Sequence, residues 1–159
     1  MERESWASSE AVRRNMQANK GRNTGPELAL RRALHALGLR YRLNARPLSG
    51  TRMTVDVVFP RAKVAVEVRG CFWHGCPDHL RPAKQNADFW SNKIAGTAAR
   101  DRTKDAALEA AGWLVVVVWE HEHVADAARR VAEAVNGRRP SKEPPGTEPR
   151  PTPRGRRRT

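Results

Sequence analysis

Two thiols and an imidazole fall within nine positions of the segment Gly70-Cys71-Phe72-Trp73-His74-Gly75-Cys76-Pro77-Asp78-His79, a donor set that suits Zn²⁺. A structural zinc takes four such ligands in a tetrahedron, so Cys71, Cys76 and His79 need one more from a distant segment. His121, just past an apolar run that ends at Trp119, is the preferred fourth donor, with His123 the alternative. The loop is long and poor in aliphatic residues and needs an organiser; two reduced cysteines packed into a loop are the competing arrangement. Two cysteines in 159 residues cannot make a disulfide framework, and their spacing points to metal.

Asp56 and Glu67 are the second chemical signal. Each interrupts a run of valines, in Val55-Asp56-Val57-Val58-Phe59 and in Val64-Ala65-Val66-Glu67-Val68-Arg69, where an isolated carboxylate carries a desolvation penalty. If the connecting turn has an even number of residues, Asp56 shares a face with Ala65, Glu67 and Arg69; a one-residue slip separates them. Two converging carboxylates repel, and a divalent cation removes the repulsion while acting as a Lewis acid. The string Asp56-(ten residues)-Glu67-Val68-Arg69 has the form of the acid…acid-x-Lys core of many restriction-type nucleases, with Arg in the Lys place. The alternative is an ion pair at a sheet edge, Glu67 with Arg69 or another base. Beside the zinc donors stand Phe72 and Trp73, with Trp90 further on. On a basic chain such aromatics suit wedging between base pairs. His74 among them could protonate a leaving 3′ oxygen or bind a phosphate through a metal-bound water.

The elements that must position these groups are readable in order. Thr24-Gly25-Pro26-Glu27 has the form of a capping box. Leu30, Ala33, Leu34 and Leu37 then recur at helical spacing, and Gly38 stops the helix. Residues 41–44 and 55–59 read as strands, and 63–69 alternates as a third, with Val64, Val66 and Val68 on one face. After the loop of residues 70–88 a helix is predicted over 89–111. The continuous apolar run from Trp113 to Trp119 reads as a central strand covered on both faces, and residues 125–135 as a last amphipathic helix. The order α-β-β-β-loop-α-β-α predicts an α/β fold, a mixed sheet flanked by helices.

Charge narrows the partner. Thirty Lys and Arg against seventeen Asp and Glu give +13 and a pI near 11.2, which favours a polyanion, nucleic acid first. Residues 138–159 hold +6 of this, with six of the eleven prolines and no aliphatic or aromatic side chain. Such a segment cannot form a core and is expected to be a disordered basic tail, leaving residues 1–137 as a single domain. It would tether DNA or merely solubilise. No apolar run approaches the roughly 18 residues of a membrane span, and the charged stretch from Met1 to Ser5 is not a secretory signal.

Taken together, Asn15-Met16, Thr24-x-x-Glu27, Asp56 in its strand, Gly70-Cys71-Phe72-Trp73-His74, Phe89-Trp90-x-x-Lys93-Ile94, Arg100-Asp101-Arg102 and Gly112-Trp113-(five residues)-Trp119-Glu120 resemble the very short patch repair (Vsr) DNA mismatch endonucleases. The resemblance runs from about Arg13 to Val124. It implies a restriction-endonuclease-like fold of the PD-(D/E)xK type with a zinc-bound loop, and a Mg²⁺-dependent active site. The implied activity is nicking of one strand of duplex DNA 5′ to the thymine of a T:G mismatch. Carried onto this chain, Asp56 would bind the metal, with the Val68 carbonyl as a second ligand. His74 would be the general acid/base, and Glu27 would orient it or a metal-bound water. Met16, Phe72 and Trp73 would enter the base stack, with Trp90 and Lys93 on the DNA side. Cys71, Cys76, His79 and His121 would take the zinc.

This sequence departs from the pattern where family members commonly have Phe at the place of Glu67 and His or Asp at that of Arg69. Glu67 would then bind Mg²⁺ directly and Arg69 would offset charge on the phosphate, since Arg stays protonated and cannot be a base. Thr97 stands where Asn is common, and His121 where some members have Cys. The resemblance also implies a monomer in the bacterial cytoplasm, associated with the nucleoid through DNA, with mismatch-repair proteins as candidate partners. A related nuclease without T:G specificity and a non-catalytic zinc-stabilised DNA-binding module are the competing functions.

Overall fold

Helix α1, Gly25–Ala36, begins where Thr24 leaves the extended region and its side chain accepts the Glu27 N–H, with proline in the first turn. Glu27 reaches back as the capping pattern requires: its Oε2 accepts the Asn23 N–H at 2.9 Å and its Oε1 the Thr24 hydroxyl at 3.1 Å. Gly38, at φ +76, follows the helix in a conformation that costs an L side chain energy. This computed structural model describes residues 22–139. Met16 and residues 140–159 lie outside the described residues.

The remaining elements are β1 (Arg42–Ala45), β2 (Val55–Phe59), β3 (Val64–Arg69), α2 (Ala87–Ala110), β4 (Leu114–Trp119) and α3 (Val124–Arg138). They form one sheet in the order β1-β2-β3-β4, antiparallel through the first three strands and parallel between β3 and β4. A parallel pair needs a crossover, and α2 provides it. The mixed sheet with helices agrees with the sequence reading, but the placement of the apolar run differs. Among the described residues β4 is an edge strand with Leu114 exposed, and β3 is the covered inner strand. A continuous β-branched run shows strand propensity without showing position in the sheet; β3 alternates in sequence yet is buried on both faces.

One face of the sheet carries the larger core. Leu30 and Leu34 of α1 meet Val57, Phe59, Val64 and Val66 there, together with Ala127, Ala128, Val131 and Val135 of α3. Burying side chains such as Leu30 and Leu34 contributes roughly 1.5–3 kcal/mol each. On the other face Val55, Val58 and Ala65 pack against Leu108, the one buried residue of α2. Helix α2 has 24 residues, about 36 Å at 1.5 Å per residue, against about 20 Å for the six-residue strand beside it. Its N-terminal turns therefore run past the end of the sheet. Arg138, which the sequence reading assigned to the tail, is the last residue of α3, and its guanidinium bonds the carbonyls of Ala62 and Gly112 at 3.1 and 2.7 Å. No helix among the described residues is long and apolar enough to cross a membrane.

Candidate active site and metal cluster

The connection between β2 and β3, residues 60–63, has an even number of residues, so alternation is preserved across it. Val57 pairs with Val66, Val58 with Ala65 and Phe59 with Val64. The same register one step further sets Asp56 opposite Glu67, on the α2 side of the sheet. The Asp56 Oδ2 accepts the Val68 N–H at 2.8 Å. Burial pushes the Asp56 carboxyl above the usual range; the Val68 N–H opposes this, Glu27 adds to it, and Lys104 and Arg31 oppose it. Burial lifts Glu67 to about 7 against the pull of Lys104, with Asp56 adding to the rise. Two acids held in a poorly solvated place with their charged forms disfavoured are a fit for a divalent cation.

The groups facing this pair come from α2, where the sequence reading noted Asp101 in Arg100-Asp101-Arg102 but gave no residue an active-site role. Asp101, Lys104, Asp105 and Leu108 recur three to four residues apart and so share one helix face, which Leu108 anchors to the sheet. Lys104 Nζ lies 2.5 Å from Glu67 Oε1. Asp105 takes both its oxygens to Arg69, at 2.6 and 2.8 Å from Nη2, and Asp101 Oδ2 lies 3.8 Å from Arg69 Nε. Arg69, expected to offset charge on the phosphate, is bound to the two α2 carboxylates, its side chain only 10% exposed. Asp101 Oδ2 also sits 2.6 Å from His74 Nδ1. Glu27 was expected to orient His74 or a metal-bound water; its oxygens serve Asn23, Thr24 and Arg31, the last at 3.1 Å, and its charge acts on Asp56. The partner of the imidazole is Asp101. At Val68 the recorded contact with Asp56 is through the N–H.

The four zinc-type donors converge. One ligand atom each from Cys71, Cys76, His79 and His121 lies within 4.8 Å of the others. Cys71 Sγ is 3.1 Å from His121 Nδ1, and Cys76 Sγ is 3.7 Å from His121 Nδ1 and 3.9 Å from His79 Nδ1. Bonds of about 2.0–2.3 Å in a tetrahedron require ligand separations of this order, so the residues fit Zn²⁺. The alternative donor His123 is turned away, exposed and 3.5 Å from Asp126. Burial and the adjoining Cys76 push the Cys71 thiol up to about 11, a penalty on the thiolate that a bound cation offsets. Gly75 makes the turn between His74 and Cys76 at φ +63, where a Cβ would come 3.0 Å from Ile94 Cγ2. Glu120 braces the loop by accepting the Cys71 N–H at 2.6 Å.

Beyond this cluster the aromatics gather under the overhanging end of α2. Ring centroids of Phe72 and Trp73 are 5.3 Å apart, and those of Phe72–Trp90 and Trp73–Trp90 are 5.4 and 5.8 Å apart. Lys93 Nζ lies 5.6 Å from the Trp90 ring centre. The predicted DNA-side residues within the described chain are thus one contiguous patch next to His74.

Residues 7–80 match the family described as DNA mismatch endonuclease Vsr. The type II nicking enzyme V.NaeI of Lentzea aerocolonigenes is 47% identical over 125 residues, covering 77% of this chain and 75% of that protein. V.XorIIP of Xanthomonas oryzae pv. oryzae, also a type II nicking enzyme, is 46% identical over 117 residues, 72% and 83% of the two chains. The DNA mismatch endonuclease Vsr of Escherichia coli is 32% identical over 108 residues, 67% of each. The chain belongs to the Vsr family. It is therefore a DNA endonuclease, and its substrate is DNA.

For a Vsr-family chain, the signal that would have found Lys104 and Asp105, and given Asp101 its place in the site, was their three-to-four residue spacing with Leu108. That stripe is mostly charged and so escapes a search for apolar periodicity. Asn23 and Arg31, which bond each other at 2.6 Å beside Glu27, had no sequence signal beyond their nearness to the capping box.

Proposed function

We propose that this Vsr-family enzyme nicks one strand of duplex DNA 5′ to the thymine of a T:G mismatch, using Mg²⁺ at Asp56 and Glu67 and a structural Zn²⁺ at Cys71, Cys76, His79 and His121. The observation that carries the reading is the Val57–Val66 register, which one step further sets Asp56 across from Glu67, with Asp56 acting on the Glu67 carboxyl and the His74–Asp101 pair reaching Arg69 of the same strand. Mg²⁺ held there would supply Lewis-acid polarisation of the scissile phosphate and an activated water. With Asp101 as acceptor, His74 carries its hydrogen on Nδ1 and presents Nε2, which as a base takes the attacking water's proton and, now doubly protonated, returns one to the leaving 3′ oxygen. Asp101 fixes the ring's tautomer and direction. Phe72, Trp73 and Trp90 form the wedge that unstacks the duplex, which costs least at a weakly stacked mispair. Met16, outside the described residues, would join them. Lys93 and the surplus positive charge bind backbone phosphate without reading sequence.

The test is a panel of labelled duplexes with varied flanks, T:G against C:G in the same sequence, incubated with Mg²⁺. Nicking of the T strand of T:G duplexes at least roughly tenfold faster than of C:G duplexes is expected. Equal nicking of both would instead assign a nuclease without mismatch preference, and tight binding with no cleavage of any duplex a non-catalytic module. For zinc, metal analysis of the native protein should give one ion per chain. Chelation should lower the thermal midpoint by roughly 10 °C; an unchanged midpoint with no zinc in the protein would remove the metal from the account.

A further inference from the structure

Five carboxylates, Glu27, Asp56, Glu67, Asp101 and Asp105, and three bases, Arg31, Arg69 and Lys104, surround the site. A DNA phosphate entering so acidic a place needs cations beyond the metal that the proposed function puts there. Two of the three bases are already committed. Arg31 bonds Glu27 and Asn23 and is buried. Arg69 is held by both oxygens of Asp105 and flanked by Asp101. Freeing Arg31 would strand the buried Glu27, at a cost of several kcal/mol, and freeing Arg69 would leave the half-buried Asp101 and Asp105 without their partner.

Resting on that reading of the site, we propose that Lys104 is the cation that contacts the scissile phosphate, filling from helix α2 the place that the strand residue Arg69 leaves empty. Three observations converge on it. Its ammonium stands at the acid pair, 2.5 Å from Glu67 Oε1, and acts on Asp56 as well. Glu67 is the one ion-pair partner of that ammonium among the described residues. An ammonium has three donor hydrogens on a flexible stem, and Glu67 engages at most one. The Lys104 side chain is also 22% exposed, against 10% for Arg69, so a phosphate oxygen can reach it from solvent without the protein opening. Leu108, one turn further along α2, is fully buried against the sheet and holds that helix face toward the acids.

The experiment pairs a binding measurement with a rate. Affinity for a T:G duplex is measured over a range of salt with Ca²⁺ in place of Mg²⁺. Single-turnover nicking is measured at saturating Mg²⁺. Wild type, Lys104→Met, Lys104→Arg, Lys104→Met/Glu67→Gln and Asp56→Ala are compared, with thermal melts of each. Loss of one phosphate contact should lower the slope of log affinity against log salt by about 0.9 in Lys104→Met, and slow nicking by roughly 100-fold. Lys104→Arg should keep the slope and nick within about tenfold of wild type, since it keeps the charge. The double variant removes the orphaned Glu67 charge, so its salt slope keeps the test open should Lys104→Met alone fail to fold; slow nicking by it follows equally from the loss of Glu67 as a metal ligand.

The proposal is overturned by an unchanged salt slope, whatever the rate. It is equally overturned by nicking within about threefold of wild type, or by a rate that Glu67→Gln restores, since Lys104 would then only neutralise Glu67. Asp56→Ala separates the two levels. If it nicks like wild type, the metal site itself is misplaced; if it is inactive while Lys104→Met is unaffected, only the role of Lys104 falls.

Discussion

Replacing Asp56 with alanine is expected to slow Mg²⁺-dependent nicking by roughly 10³-fold or more, with duplex affinity changed by less than about fivefold. The asymmetry follows from where the side chain sits. Asp56 lies on the inner part of the sheet with its carboxylate on the Val68 N–H, while in the proposed function the aromatic patch and the surplus basic charge would supply most contacts with DNA. The substitution is also survivable. It leaves the Val68 N–H without its partner, which costs about 1–3 kcal/mol, but it removes a like charge from Glu67, whose carboxyl Asp56 pushes up. Asp56→Asn is the companion that separates charge from shape, because its amide oxygen can still accept from Val68. Both variants should be inactive, and a gel-based nicking assay with parallel binding curves reads them. If nicking were retained with Asp56→Asn at wild-type Mg²⁺ dependence, the carboxylate would not be a metal ligand.

The second large effect is expected at His74. Its removal as His74→Ala should cost about 10²–10⁴-fold in single-turnover rate, and Asp101→Asn about 10–100-fold. The informative quantity is the double variant. If Asp101 acts by orienting the imidazole at 2.6 Å, it has nothing left to orient once His74 is gone, and the double variant should be no slower than His74→Ala by more than about threefold. Multiplicative losses would mean that Asp101 works independently, for instance through Arg69, which it also faces at 3.8 Å. Thermal melts keep that structural contribution visible, since Asp105 still holds Arg69 in the Asp101 variant.

Much of this site is local in sequence. Thr24 and Glu27 are a cap because their spacing is the cap. Asp56 and Glu67 share a face because an even connection preserves alternation, a condition the sequence stated but could not verify. Cys71, Cys76 and His79 are one loop, and His121 follows the strand that pairs in parallel with β3, where Arg69 lies opposite Trp119. That pairing carries His121 to the loop that leaves β3. The rest depends on how α2 rolls on the sheet. Nothing local says that Asp101 faces His74, that Asp105 takes Arg69, or that Lys104 reaches Glu67. These are cross-element pairs chosen by the burial of Leu108, the single buried side chain of a long helix. For the same reason the sequence did not show that Glu27, which the resemblance placed on His74 or on a metal-bound water, pairs with Arg31 one turn away on its own helix. The edge position of β4 was hidden too, because a run of valines looks alike at the centre and the edge of a sheet when helices cover much of both faces.

The central claim is that a divalent cation is bound where Asp56 and Glu67 face each other. A crystal soaked in Mn²⁺, which takes oxygen ligands of the same kind and gives an anomalous signal, tests it most directly. An anomalous peak against the carboxylates of Asp56 and Glu67, absent from Asp56→Ala crystals soaked in the same way, is the predicted result. A protein that nicks DNA with Mn²⁺ yet shows its only added Mn²⁺ peak away from both carboxylates would contradict the account.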